Sequence, residues 1–181
     1  MKSMIEDRIK TYDIRREQKK KQNQEMEDKI LNEMKDRIFK ALVLNDYENA
    51  PYAQWVKEGK KKIETRMNRL FSFRGDVVIC CGKGKSVSPN AGKALCIVEI
   101  WKGRKMLNDA REMTAACIEW DSDRYSLLLR NWRYFSRDFE FAPMAIKRNF
   151  QGMFEIILPE DVEIIPKPEI EEYFENSNYK R

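Results

Sequence analysis

At 181 residues with 42% hydrophobic side chains, the chain is long enough for one core, short for two, and too apolar to be a disordered polymer. Its 35 Lys/Arg exceed its 30 Asp/Glu, and it has no histidine, so the usual imidazole base and triad partner are excluded and catalysis would fall to Lys, Glu, Asp, Tyr, Ser, Thr or Cys. The longest apolar runs, such as FEIILP at 154–159, are too short to span a bilayer and MKSMIEDRIK has no apolar core for secretion, so a cytoplasmic protein without a membrane partner is expected.

Residues 1–38 are nearly all charged or amide side chains without Pro or Gly, carrying 11 Lys/Arg against 9 Asp/Glu. Ile5, Ile9 and Tyr12, then Met26, Ile30, Met34 and Ile38, fall at helical spacing, which predicts two helical pieces or one long helix with a solvated waist. This charged extension reads as a surface appendage or an arm for homodimerisation, with a basic nucleic-acid arm as the sharper alternative. The folded body opens with a strand at FKALVLN (39–45), a turn over 45–51, and a short helix in PYAQWVKEGKK with Pro51 at its start and Gly59 at its stop. KKIETRM, GDVVICC and KALCIVEIW read as strands, separated by NRLFSFR and the loop GKGKSVSPNAG. Residues 107–130 are expected to give one or two helices capped at Asn108 or Asp109, NWRYFSRDFEFA a strand broken by Pro143, and GMFEIILP the last strand. The acidic tail from 159 to 181 is expected to supply a short extended piece and a frayed end. Strands following one helix predict an α+β architecture built on an antiparallel or mixed barrel.

Four cysteines, Cys80, Cys81, Cys96 and Cys117, show no CxxC spacing, so neither a metal site nor a cofactor is expected. Cys80 and Cys81, adjacent in a strand, are expected to point to opposite faces, one buried and one outward. Charge is concentrated: residues 53–105 carry 13 Lys/Arg against 4 Asp/Glu, whereas 159–181 carry 3 against 7. With Trp55, Phe71, Phe73 and Trp101 interleaved, the basic stretch suits a polyanion, or else a solubilising surface. At its centre stands GKKKIETR, residues 59–66. Strand alternation puts Lys62, Glu64 and Arg66 on one face and Lys61, Ile63 and Thr65 on the other, unless the turn at Gly59 or a bulge brings Lys61 round, which is the expectation here. The group is a self-neutralising surface strand or a constellation held for a ligand. The loop at 81–93 holds Lys83 and Lys85 but lacks the G-x-x-x-x-G-K-[ST] spacing of a triphosphate site; as a basic rim it could still touch phosphate, as could Arg104 in WKGRK.

The pattern Trp55, Gly59, Lys61, Glu64, Arg66, then Gly75 and Asp76, resembles the ASCH domain, whose signature reads G-x-K-x-x-E-x-R followed by a strand opening with Gly-Asp. GKALCIVEIW is similar to its next core strand, and RNWRYFSRDFEFAPMAIKRNFQGMFEI to its closing strands and the polar-Gly turn before the last one. The resemblance covers 39–158, leaving 1–38 and 159–181 outside. It implies a PUA-like mixed β-barrel with flanking helices, preceded here by the charged helix, and a role in binding RNA or a nucleotide. Lys61, Glu64 and Arg66 would line the cleft with Trp55 nearby, the tryptophan serving for base stacking or simply for packing. Arg66 would take phosphate or a base edge, Lys61 phosphate, and Glu64 a base amino group or Arg66 itself. Some ASCH-like proteins are amidohydrolases acting on N4-acetylcytidine and resemble this motif with a Lys and, three residues on, a nucleophilic Thr. This chain keeps Lys61 but has Glu64 in the threonine's place, with Thr65 one residue further on and facing away. An enzyme, whether such a hydrolase or a ribonuclease, would use Lys61 with Glu64; a scaffold assembled through the N-terminal helix is the third reading.

Overall fold

The structure is a computed structural model that describes residues 2–67, 72–142 and 153–175. It contains two compact units, Met1–Ile38 and Phe39–Arg181. In the first, a single helix α1 (Lys2–Glu33) is followed by one 3-10 turn at Lys35–Arg37. With no Pro or Gly to interrupt it the helix runs unbroken, and the side chains of residues 13–26, Ile14 and Met26 included, are exposed. The side chains of Ile5, Ile9, Tyr12 and Ile30 lie outside the described residues. No helix among the described residues is long and apolar enough to cross a membrane.

The second unit is a mixed α+β fold with a curled sheet forming a PUA-like half-barrel. Its strands are β1 (Ile38–Leu44), the two-residue pair β2 (Asp46–Tyr47) and β3 (Ala50–Pro51), β4 (Ile63–Arg66), β5 (Gly75–Cys81), β6 (Lys93–Lys105), β7 (Tyr125–Glu140), β8 (Met153–Ile157) and β9 (Ile164–Pro166). Two short helices complete it, α2 (Tyr52–Lys57) and α3 (Ala110–Ala116). Spatial order is β4-β7-β6-β5-β1-β8, and β9 also pairs with β7. β1 and β5 pair in parallel, as expected for two strands joined by a long connection that includes α2.

The long strand β7 organises the site. One of its edges takes β6 along most of its length, while β4 pairs with residues 125–128 and β9 with residues 133–135. Asn131, between the two segments, has φ 53, and the β6–β7 register shifts three times; such irregularities bend a strand pair and let the sheet curl.

Both sheet faces are covered. Leu42, Val77, Ile79, Cys81, Leu127, Leu129 and Trp132 pack with Ala53 and Val56 of α2; Ala41, Val78, Cys80, Ile97, Phe139 and Ile156 form a second cluster. Cys80 and Cys81 do point to opposite faces, but neither is outward: both are fully buried, because each face has its own apolar cover. The segment 107–130 yields a single short helix, α3, with Asp109 capping it by accepting from the amides of Arg111 and Glu112, and the remainder from Tyr125 is strand. Leu127 and Leu128 enter different clusters, the alternation of a strand buried on both sides. The extended piece in the tail is β9, after which Ile170 packs against the first cluster. Phe71, Pro143 and the polar-Gly turn before β8 lie outside the described residues.

Candidate nucleic-acid interface

The site begins where α2 stops. Gly59 takes φ +72, its amide donates to the Val56 carbonyl, and the Lys61 amide donates back to the Trp55 carbonyl at 2.9 Å. This glycine-based helix stop folds residues 59–61 against the helix end before strand geometry begins. The Lys62 amide then bonds the Ala115 carbonyl and the Leu129 amide the Lys62 carbonyl, which lead the chain into β4. Lys61 therefore precedes the regular alternation of β4 and is not bound to its pleat.

Lys61 is only 2% exposed; its Nζ donates to the Ala116 carbonyl at 2.5 Å, lies 3.6 Å from Glu64 Oε2 and 5.3 Å from the Tyr52 ring centre. Glu64, 5% exposed, has its Oε1 3.2 Å from Arg66 Nε. The structure thus brings Lys61, Glu64 and Arg66 into one chain of charge, the carboxylate between two cations. The Arg66 contact has ion-pair distance without hydrogen-bond alignment, and among the described residues Arg66 Nε and Nη2 are buried donors with no hydrogen-bond acceptor. A buried donor left unsatisfied costs about 1–3 kcal/mol, so Nη2, which lacks the carboxylate contact that Nε has, favours an added acceptor.

Register assigns the faces. Glu64 lies opposite Leu127, itself opposite Gly103; Arg66 lies opposite Tyr125, itself opposite Lys105. Directly opposed residues share a face, so Glu64, Arg66, Tyr125 and Lys105 form one surface. Two members of this neighbourhood escaped sequence reading. The Arg74 guanidinium lies over Gly103, well inside contact distance of where a Cβ would sit, and Lys105 Nζ lies 4.8 Å from the Tyr125 ring centre. The signal for the first was the glycine inside the strand WKGRK, which marks a close approach.

Thr65 belongs to the opposite face, in register with Ser126 and Arg104, and its hydroxyl accepts from Arg124 Nη1 at 3.3 Å. Arg104 is therefore not brought to Glu64 and Arg66. Its Nη1 and Nη2 donate to the two carboxylate oxygens of the fully buried Glu112 at 2.8 and 2.7 Å, and its Nε donates to Glu175. Burial alone would lower the Arg104 pKa, but the carboxylates of Glu112 and Glu175 raise it above the usual arginine value. Trp55 is half-buried, edge-on to Tyr52 at 5.7 Å, with Lys60 Nζ 4.0 Å from its ring centre, so one ring face already holds a cation. Lys83 and Lys85 stand exposed on the β5–β6 loop, whose base is fixed on buried Asp46 by Ser88 (2.7 Å) and Asn90 (3.3 Å). Among the described residues no hydrogen bond or ion pair links them to Lys61, Glu64 or Arg66.

The Glu175 pairing gives a pH prediction. Burial raises this carboxyl's pKa, but hydrogen bonds from Lys102 and Arg104 outweigh it and hold the group below its ordinary 4.5. A depressed folded pKa contributes stability that is fully present above the unfolded value and lost as pH falls through the folded one. Hydrogen-exchange protection of the amides near Glu175 is expected to drop as pH falls below about 4.5, and Glu175→Gln should remove that dependence. A wild-type profile matching the variant's would show that the pairing contributes nothing.

No curated protein matches the chain. A model of the ASCH domain matches residues 49–157, a span that holds α2, the Gly59 turn, the Lys61, Glu64 and Arg66 group and the strands β4 to β8 on which it is mounted. Matched over more than half its length, the chain belongs to the ASCH domain family.

Proposed function

We propose that the protein is an ASCH-type nucleic-acid-binding module that holds RNA, or a nucleotide within it, at Arg66, above the buried Lys61 and Glu64 pair, in a cytoplasmic setting. At the level of the family, the ASCH domain supports an RNA-binding module of PUA-like fold. The observation that carries the finer reading is the Arg66 guanidinium, its Nε 3.2 Å from Glu64 Oε1 and its buried Nη2 without an acceptor among the described residues. Phosphate and base edges supply the paired acceptors that a guanidinium fork fits. Glu64 fixes the fork, Lys61 sets the position of Glu64, and Arg74 and Lys105 add positive charge on the same face. A hydrolase or ribonuclease built on Lys61 and Glu64 gains no comparable support, since Lys61 Nζ is engaged by the Ala116 carbonyl and Thr65 faces the other way.

Filter binding of a labelled single-stranded RNA over a salt series tests the reading. Arg66→Ala is expected to weaken binding about 10- to 100-fold, the loss of charge-assisted bonds worth about 1.5–3 kcal/mol. A log K against log salt slope that becomes shallower by about one would place phosphate on Arg66, and an unchanged slope a base edge. Equal affinity of a folded Arg66→Ala variant and the wild type would sink the proposal.

A further inference from the structure

The acidic segment that follows β9 runs beside basic side chains. The Lys167 amide bonds the Trp132 carbonyl, and Ile170 sets its side chain against Gly59. Glu171, Glu172 and Phe174 then form the ridge between two cavities. One, of about 520 Å³, is lined by Lys60, Lys62 and Arg111; the other, of about 660 Å³, by Arg133 and Lys167. Arg111 Nη2 donates to the Phe174 carbonyl at 3.4 Å, and Glu175 closes the segment by accepting from Lys102 and Arg104.

We infer that residues 169–175 are a built-in competitor for a polyanion, an acidic strap in which Glu175 holds Lys102 and Arg104 while Glu171 and Glu172 line a cavity shared with Lys60, Lys62 and Arg111. The inference rests on the reading of the site as a nucleic-acid interface. Three observations carry it. The carboxylates are set among cations from three separate parts of the chain: the Gly59 turn, the end of β6, and α3. Their hold is partly exposed: the Lys102–Glu175 pair has side chains 42% and 25% exposed and the Arg104–Glu175 pair 18% and 25%, so salt screens the first more readily than the second. The apolar anchoring is at Ile170 and Tyr173, which pack on separate core clusters, while Phe174 is 70% exposed. The carboxylates between and beyond those anchors are not required to fill the core. A segment needed only for packing would be served as well by neutral side chains there; carboxylates instead occupy Lys102 and Arg104, cations that an extended polyanion would otherwise take.

The test uses the full chain and a labelled single-stranded RNA of mixed sequence. The variant Glu171→Gln/Glu172→Gln/Glu175→Gln is compared with Glu48→Gln/Glu119→Gln/Asp123→Asn, which makes the same change of net charge at exposed positions away from the strap. The strap variant is expected to bind about tenfold more tightly at low salt, with the advantage shrinking as salt rises, and the control to gain far less. Equal gains would reduce the effect to overall charge, and equal or weaker binding by the strap variant would overturn the strap while leaving the interface intact. Binding by neither the wild type nor the strap variant at low salt would overturn both. Should the strap variant fail to fold, hydrogen exchange on the wild type decides: RNA is expected to speed exchange of the amides at 170–175, and unchanged or slower exchange overturns the strap.

Discussion

Replacing Glu64 by leucine is expected to lower the free energy of unfolding by about 3–5 kcal/mol, the cost of leaving a buried charge without its partner. The charge at stake is Lys61, 2% exposed, whose ammonium keeps the Ala116 carbonyl as an acceptor but loses the carboxylate 3.6 Å away. Arg66 loses the same carboxylate from its other side. Removing both buried partners is a different experiment. Lys61→Met/Glu64→Leu replaces the pair with apolar groups of similar size, which is often neutral, so the double variant should recover most of the loss. Urea denaturation with an unchanged m-value is the measurement. A loss under about 1 kcal/mol for Glu64→Leu would mean that water reaches the pair as it does at an ordinary surface salt bridge. The double variant also separates stability from function, since it should fold and yet bind RNA weakly, with no carboxylate left to orient Arg66.

The strands β1, β4, β5 and β8 were legible because β-branched runs bounded by Gly, Pro and polar turns leave little choice, and Pro51 and Gly59 bracketed α2 for equally local reasons. The group at Lys61, Glu64 and Arg66 was legible as a set through the family signature, and its assembly follows from the turn at Gly59. What lay beyond reach was long-range. SLLLR in β7 has the composition of a helix, and only the separate clusters that receive Leu127 and Leu128 make it a strand. Arg104 looked like a free surface cation; its partners Glu112 and Glu175 are 8 and 71 residues away, and no local pattern reveals the second. Cys81 was expected outside or inside by alternation alone, but alternation cannot say that a sheet is covered on both faces. The role of the tail was hidden for the same reason: its acidity was plain, its neighbours were not.

Gly59→Ala is expected to cost about 2–5 kcal/mol, composed of about 1–2 for a side chain held in the left-handed region and about 1–3 for overpacking. Both parts are visible at this residue: φ is +72, and a Cβ there would fall well inside contact distance of the Ile170 side chain. The two parts can be separated. Ile170→Ala clears the space, so Gly59→Ala/Ile170→Ala should be more stable than the sum of the single variants by about 1–3 kcal/mol, the overpacking share, while the backbone share persists. Gly59→Asn, which tolerates the left-handed conformation better, should retain the overpacking and lose much of the backbone penalty. Strict additivity of the two alanine substitutions would show that Ile170 moves aside freely and that conformation alone requires glycine. The consequence for the interface follows from the same turn. Gly59 is what lets the Lys61 amide reach back to the Trp55 carbonyl, and that bond places Lys61 Nζ beside Glu64 and not on the opposite face of β4. Any Gly59 variant that folds by opening this turn should therefore lose RNA affinity in proportion to the displacement of Lys61, even though Gly59 has no side chain to offer the ligand.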